Sequence, residues 1–283
     1  MKAILLGTAA GGGFPQWNCA CPTCANRNLP PRTQDGLAIS ADGNHWYLVN
    51  ASPDIRAQIL ATPELTAGPG PRETPLRGIL LTDAELDHTL GLMMLREGDG
   101  LEVHAPPAVL TALRDDFPIQ PITARYGGWR WSASNAIPGL SINTLAVSNK
   151  RPKYANETPG PWVIAYRFED PRTGGVLVYA PCLAAWPDGF DEFIDGASYV
   201  VLDGTFWRSN EMANQQAMGH LPIGGPDGSL ERIRKLSAAQ PGTAWAYTHL
   251  NNTNPVLDPA GPEYAEIRAA GVKLPPDGTK LDL

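Results

Sequence analysis

The chain has 283 residues, of which 43% are hydrophobic and 18% are charged, so it can fold around an apolar core and is not largely disordered. Its net charge of −7 argues against nucleic acid as a partner, because phosphate binding needs a basic surface. We expect no membrane insertion, because no apolar run approaches the ~20 residues of a spanning helix. The first residues, MKAILLGTAAGGG, break into glycines too early for a secretion signal, so a cytoplasmic location is expected.

The first half of the chain alternates short apolar strands with helices. Strands are predicted at residues 3–7, 37–40, 46–50, 78–81 and 101–105, and helices at residues 52–60, 89–96 and 106–117. The second and third strands form a hairpin. Ser52 is expected to cap the first helix, because serine followed by proline is typical of a helix start.

The second half is richer in strands. Strands are predicted at residues 140–147, 162–168, 176–180, 199–203 and 243–248, helices at residues 229–239 and 263–270, and a strand pair at the end. Strands alternate with helices and no linker divides them. The sequence therefore predicts a single α/β domain over residues 1–283, with two sheets sandwiched between helices.

The stretch TDAELDHTLGL at residues 82–92 contains a candidate metal site. Asp87 and His88 follow one predicted strand and His249 follows a later one, which gives two imidazoles and a carboxylate. Mononuclear iron(II) oxygenases use this ligand set, and the same set can hold zinc with an activated water. Asp203, at another strand end, is predicted as a fourth ligand or as a partner that orients a ligand. The structural alternative is that Asp87 caps the next helix and His88 packs.

The other three histidines have weaker signals. His220 lies in a loop rich in glycine and proline, where it could be an acid/base catalyst, a ligand, a substrate contact or simply solvated. His104 lies within a predicted strand and is interpreted as structural. His45, at the hairpin edge, is interpreted the same way, although it could also complete a metal site.

Three cysteines within the six residues CACPTC form the most specific local motif. Cys19, Cys21 and Cys24 suit a tetrahedral structural zinc that takes one ligand from elsewhere in the chain. The spacing does not identify the fourth ligand, for which the candidates are His45, His220 and Asn252. The distant Cys182 is interpreted as a buried free thiol.

Several longer motifs resemble one known family. They are GTAAGGGFPQWNCACPTC, NASPDIRAQI, GILLTDAELDHTLGLMMLREG, VLDGTFW, MGHLPI, THLNNTNP and DGTKLDL. Over essentially its whole length the chain resembles the coenzyme PQQ synthesis protein B family of the metallo-β-lactamase superfamily. The resemblance implies an αββα sandwich and a role in making the redox cofactor pyrroloquinoline quinone (PQQ).

The resemblance also implies a reaction and a partner. Members look like iron-dependent oxygenases that hydroxylate the tyrosine ring of a cross-linked Glu-Tyr precursor. The alternatives are a carrier of PQQ or its precursor toward the periplasm, and a hydrolase with one zinc ion. The active-site metal is expected to be Fe²⁺, with Zn²⁺ or Mn²⁺ as alternatives. The oligomeric state is left open, with a homodimer as one option.

Residue roles carry over onto matching positions. The superfamily's metal positions correspond to Asp87, His88 and His249. Asp83 and Glu85 stand where the superfamily has two histidines, and with His220 they are the catalytic candidates.

The chain departs from the family pattern at two places. The superfamily's bridging aspartate is expected near residues 180–182, where no carboxylate exists and Cys182 stands in place of the glycine usual in relatives. The segment that follows Tyr154 is also shorter than in relatives.

Overall fold

Two β-sheets organise residues 1–212 and 218–283, which are the residues that the computed structural model describes. The first sheet contains, in spatial order, β12 (Thr279–Asp282), β1 (Lys2–Gly7), β2 (Gly36–Ser40), β3 (Trp46–Val49), β4 (Leu76–Leu80), β5 (Glu102–His104) and β6 (Arg130–Ser132). The second contains β11 (Ala244–Thr248), β10 (Tyr199–Asp203), β9 (Val176–Ala180), β8 (Val163–Glu169) and β7 (Ser141–Ser148).

Alternation of side chains along the strands creates two apolar layers. In β1, Ala3 and Leu5 join a buried cluster that includes Tyr166 and Tyr179 of the second sheet, so this cluster fills the space between the sheets. The intervening Ile4 and Leu6 belong to the cluster that also contains the buried residues of the helices. Because successive strand residues point to opposite faces, the central strands of both sheets, such as β2 and β10, are buried on both sides. The predicted αββα sandwich is confirmed.

Short helices connect the strands. They are α1 (Pro22–Ala25), α2 (Ile55–Ala61), α3 (Leu86–Thr89), α4 (Gly91–Met94), α5 (Pro107–Thr111), α6 (Ile119–Gly127), α7 (Phe190–Ile194), α8 (Ser229–Ala239) and α9 (Pro262–Ala269), and a π-helical turn at Ala112–Asp116 extends α5. Helix α6 and strand β6 were not predicted. Among the described residues, no helix has the length and apolarity needed to cross a bilayer.

Three details of the predicted elements are wrong. Helix α2 begins at Ile55, and the Ser52 hydroxyl donates to Gln58 Oε1 at 3.2 Å and so does not cap the helix. The single helix predicted at residues 89–96 is two short helices, because the Gly91 backbone N–H donates to Ala51 O at 2.9 Å. The predicted final pair is one strand, β12, which pairs with β1.

The parallel strands bring their carboxyl ends to one edge of the sandwich. Asp203 ends β10 and pairs in register with Thr248, the last residue of β11, so His249 follows directly beside it. The two sheets are joined at the same edge, because Ile164 N donates to Thr82 O at 2.9 Å just beyond β4. Polar residues that follow β4, β10 and β11 therefore meet at this edge.

Candidate metal centre

A cavity of about 220 Å³ opens at this edge of the sandwich. Its lining includes Asp83, Glu85, Asp87, His88, Lys150, Cys182, Thr205, His220 and His249. Six of the seven residues predicted for the active site therefore share one cavity. The seventh, Asp203, is only 1% exposed and supports the cavity wall through hydrogen bonds.

His88 lies in α3 and is completely buried. Its Nδ1 is 2.7 Å from Asp83 Oδ2, and its Nε2 has no hydrogen-bond partner among the residues that the structure describes. The carboxylate accepts a hydrogen bond from Nδ1–H, so Nε2 is the ring nitrogen that a metal can bind in place of a proton. This carboxylate–histidine pairing is the arrangement that orients metal-binding imidazoles. A buried nitrogen without a partner is costly unless it binds something, so His88 fits a metal ligand.

Helix α3, which carries His88, and the residues just before it are held by several hydrogen bonds. Asp83 also accepts hydrogen bonds from the Thr82 hydroxyl at 2.6 Å and from Glu85 N at 2.9 Å. The backbone of His88 accepts a hydrogen bond from Ala51 N at 2.8 Å. Because these contacts fix both Asp83 and the His88 backbone, the imidazole has one orientation.

His249 approaches the cavity from the end of β11 with an unusual backbone. Its φ is +56°, in the left-handed region that non-glycine residues rarely adopt. Its Nδ1 lies 2.8 Å from the Thr205 hydroxyl and its Nε2 lies 3.3 Å from Asp87 Oδ2. Strained backbone persists where surrounding contacts impose it, and it clusters at functional sites. The surrounding contacts therefore impose this backbone conformation, which places the His249 side chain in the cavity.

Asp203 orients the third histidine of the cavity. Its Oδ2 lies 2.7 Å from His220 Nδ1 and also accepts from Leu183 N at 2.7 Å, while its Oδ1 accepts from the Thr205 hydroxyl at 2.6 Å. Donor atoms of Asp203, His220 and His249 lie within 4.8 Å of one another. His220 is thus oriented by a buried carboxylate in the same way as His88.

The electrostatics of the cavity favour a cation. Burial works against ionisation of His88, but Asp83 and Asp87 outweigh it and raise the pKa of His88 to about 10. Burial likewise opposes ionisation of the two carboxyls, and the His88 charge nevertheless holds the pKa of Asp83 and of Asp87 below the usual value. Ionised carboxylates around a buried cavity attract positive charge, which a metal ion supplies.

Glu85 has a different position from Asp83. Its Oε1 lies 3.0 Å from Lys150 Nζ, and this ion pair is about one-third exposed at the cavity. Lys150 was not predicted, and it comes from the segment beyond β7. Asp83 and Glu85 therefore differ in role: the carboxylate of Asp83 orients His88, and the carboxylate of Glu85 pairs with a lysine.

Cys182 lies in the cavity wall, and its Sγ lies within 4.8 Å of donor nitrogens of His88 and His249. Burial raises the pKa of its thiol. The interpretation as an isolated buried thiol missed this neighbourhood. The available signal was its position just after β9, which lies next to β10 in the same sheet.

Cys19, Cys21 and Cys24 form a second cluster at α1, with their sulfur atoms within 4.8 Å of one another. Of the candidates for the fourth ligand, Asn252 is adjacent, with its Nδ2 3.4 Å from Cys24 Sγ. The other two candidates are engaged elsewhere: His45 with Asp42 on an exposed turn, and His220 in the cavity. Three thiols in this arrangement suit a tetrahedral zinc.

His104 has the structural position expected of it. Its Nδ1 faces the Ser134 carbonyl oxygen, and its Nε2 lies 3.6 Å from Glu102 Oε2 on the same strand.

Known proteins resemble this chain in fold and in sequence along its whole length. A family model described as a beta-lactamase superfamily domain matches residues 45–242. Coenzyme PQQ synthesis protein B of Pseudomonas aeruginosa (strain UCBPP-PA14) is 38% identical, with 100% of both chains covered. The protein of the same name from Azotobacter vinelandii is 37% identical with the same coverage. The crystal structure of Zn²⁺-bound PqqB from Methylobacterium extorquens superposes with a TM-score of 0.89 at 33% identity and covers 100% of both chains. The chain therefore belongs to the coenzyme PQQ synthesis protein B family of the beta-lactamase superfamily.

Proposed function

We propose that the protein acts in PQQ biosynthesis as an iron(II)-dependent oxygenase that hydroxylates the tyrosine ring of a cross-linked Glu-Tyr precursor. The observation that carries the proposal is the buried His88 Nε2, which lacks a partner among the described residues and lies beside His249 and Asp87. Two imidazoles and one carboxylate leave coordination positions open for oxygen and substrate. When bound, iron supplies the activation of O₂ that a tyrosine ring requires.

The protein's own residues would prepare this site. Asp83 fixes the His88 tautomer, and the Thr205 hydroxyl contacts both His249 Nδ1 at 2.8 Å and His220 Nδ1 at 3.1 Å. His220 lines the cavity while Asp203 holds its other face, so it is positioned to hold or move a proton at the phenol.

The Lys150–Glu85 pair suits an amino-acid substrate. A lysine ammonium can bind a substrate carboxylate, and a glutamate can bind an ammonium. Since the lining of the cavity of about 220 Å³ also includes the partly exposed Met218, one wall can contact an aromatic ring. A cross-linked Glu-Tyr molecule carries all three of these groups.

A zinc hydrolase is the second candidate, because the Methylobacterium extorquens relative was crystallised with Zn²⁺. A zinc ion in the same cavity would lower the pKa of a bound water and so provide a nucleophile at neutral pH. A carrier of PQQ is disfavoured by the charge of the site: a tricarboxylate would face Asp83, Glu85 and Asp87 without an ammonium group of its own to pair with them.

The test is oxygenation by protein purified without oxygen and loaded with iron(II). Supplied with the Glu-Tyr substrate, a reductant and isotope-labelled O₂, it should place one labelled oxygen atom on the ring, while the second atom leaves as water. His249→Ala should abolish the product, and His45→Ala, which changes an exposed turn, should preserve it. Turnover of a phosphodiester by the zinc-loaded protein, with no ring oxygenation by the iron-loaded protein, would establish the hydrolase instead.

A further inference from the structure

Cys182 occupies a fixed position in the cavity wall. It follows β9, whose Ala180 pairs with Leu202 in the neighbouring strand. The next residue is anchored twice: Leu183 N donates to Asp203 Oδ2 at 2.7 Å, and Leu183 O accepts from Leu221 N at 2.5 Å. These contacts hold the backbone beside the thiol, so the sulfur atom faces the cavity in a defined place.

The donor atoms around this sulfur have the spacing of a metal site. Cys182 Sγ, a ring nitrogen of His88 and a ring nitrogen of His249 all lie within 4.8 Å of one another. Metal–nitrogen and metal–sulfur bonds of ~2.0–2.3 Å at tetrahedral angles place two donors on one ion ~3.3–3.6 Å apart, so each pair of donors needs to approach by no more than ~1.5 Å. Independently, His88 is 0% exposed, and its Nε2 has no partner within residues 1–212 and 218–283.

We propose that Cys182 is a thiolate ligand of the cavity metal, beside His88 and His249. The inference deepens the proposed function, on which it rests for the presence of a metal in this cavity. Asp87 lies beside this group, with its carboxylate 3.3 Å from His249 Nε2, where it could complete the coordination. The predicted ligand set of two histidines and one carboxylate thereby gains a sulfur donor.

Ligation by Cys182 requires loss of the thiol proton and no redox step. The thiol gives its proton to solvent, the sulfur lone pair forms the bond to the divalent ion, and no electron is transferred. The thiolate adds one negative charge to the centre and a softer donor than oxygen or imidazole. We therefore expect tighter retention of zinc, iron(II) or cobalt(II) than Asp87, His88 and His249 would give alone.

Cobalt(II) provides the direct test, because a thiolate ligand produces a charge-transfer band in the near ultraviolet. Cobalt is titrated anaerobically into the metal-free full-length protein, without substrate, for wild type, Cys182→Ala, Cys182→Ser and His88→Ala. The Cys19, Cys21 and Cys24 cluster contributes its own band, so the measured quantity is the difference from wild type. Circular dichroism shows which variants are folded.

The expected result is loss of one component of the band in both Cys182 variants and in His88→Ala. In a chelator competition, Cys182→Ser should bind the cavity metal at least about tenfold more weakly than wild type. A second measurement avoids substitution: bound zinc should protect Cys182 from alkylation, as located by peptide mass spectrometry. An unchanged band and affinity in folded Cys182→Ser, with full alkylation of the zinc-loaded protein, would overturn the proposal.

Failure of this inference and failure of the proposed function would look different. Ring oxygenation by wild type, together with an unchanged cobalt spectrum in Cys182→Ser, would retain the oxygenase and remove the sulfur ligand. A thiolate band that depends on Cys182, without ring oxygenation, would retain the ligand and remove the oxygenase.

Discussion

Replacing Asp83 by asparagine tests whether this carboxylate prepares His88 for metal binding. The carboxylate accepts three hydrogen bonds, from His88 Nδ1, the Thr82 hydroxyl and Glu85 N. An asparagine of the same size has one oxygen, so its amide NH₂ must face one of these donors. If it faces His88, the imidazole takes its proton on Nε2 and cannot bind a metal. If it faces Glu85 N, two donors oppose each other in a buried site.

The loss of metal affinity can be estimated for either orientation of the amide. Loss of a hydrogen bond to a charged group costs about 1.5–3 kcal/mol. Loss of the partner that orients a metal-binding histidine costs about 10–100-fold in metal affinity. The Asp83 charge also stabilises the proton that a metal must displace from His88. The same charge stabilises a divalent ion about twice as strongly, so its net effect favours metal binding. We therefore expect Asp83→Asn to bind the cavity metal about 10–100-fold more weakly.

The assay is an anaerobic competition titration of zinc or iron(II) against a chelator, with the Cys19, Cys21 and Cys24 cluster already filled with zinc. Glu85→Gln is the matched control: it also removes one negative charge from the cavity, but the Glu85 side chain pairs with Lys150, and its contact with His88 runs through the backbone carbonyl, which the substitution keeps. Its affinity should stay within about threefold of wild type, because a pair that is one-third exposed is weak. Equal losses in the two variants would show that the total charge matters and that orientation of His88 does not.

Two further predictions concern packing and stability. Gly11→Ala would place a Cβ 3.0 Å from Asp87 Oδ2 and should lower kcat by up to about 100-fold through displacement of the carboxylate. Gly242→Ala, at a position with open space, is its control and should leave kcat unchanged. Asp170→Asn should cost about 3–5 kcal/mol in urea unfolding at pH 7, because it breaks a buried 2.7 Å pair with the α-amino group of the first residue. Arg172 and that amine lower the pKa of Asp170, so ionised Asp170 contributes its full stabilisation of the folded state above pH ~4, and this contribution declines as pH falls. A difference in the free energy of unfolding between wild type and variant that fails to narrow at low pH would contradict this.

The parts of the fold that follow from alternation and strand order could be predicted from the sequence. Apolar strands buried on both faces, separated by helices, predict two covered sheets. Asp203 and His249 could be placed together because parallel strands end at one edge. The break between α3 and α4 could not be predicted, because it depends on Gly91 meeting Ala51, a contact made only in the folded chain.

The candidate site could be predicted only where its residues follow strand ends directly. Lys150 pairs with Glu85 across 65 positions of sequence, and no local pattern specifies how the loop beyond β7 faces α3. Cys182 does follow a strand end, but a single cysteine without neighbouring donors in the sequence resembles an ordinary buried thiol. Only the folded structure shows that its sulfur lies within 4.8 Å of ring nitrogens of His88 and His249.

The two clusters of metal-binding residues are connected through one short segment. His249 has a left-handed backbone that costs about 1–3 kcal/mol, so the residues after it must hold it there. Leu250 N donates to Thr8 O at 2.9 Å, Asn251 N donates to Thr205 O at 3.1 Å, and Asn252 O accepts from the Thr23 hydroxyl at 2.6 Å. Thr23 lies in α1 between Cys21 and Cys24. A zinc ion held by these cysteines would therefore also stiffen the segment that places His249 in the cavity.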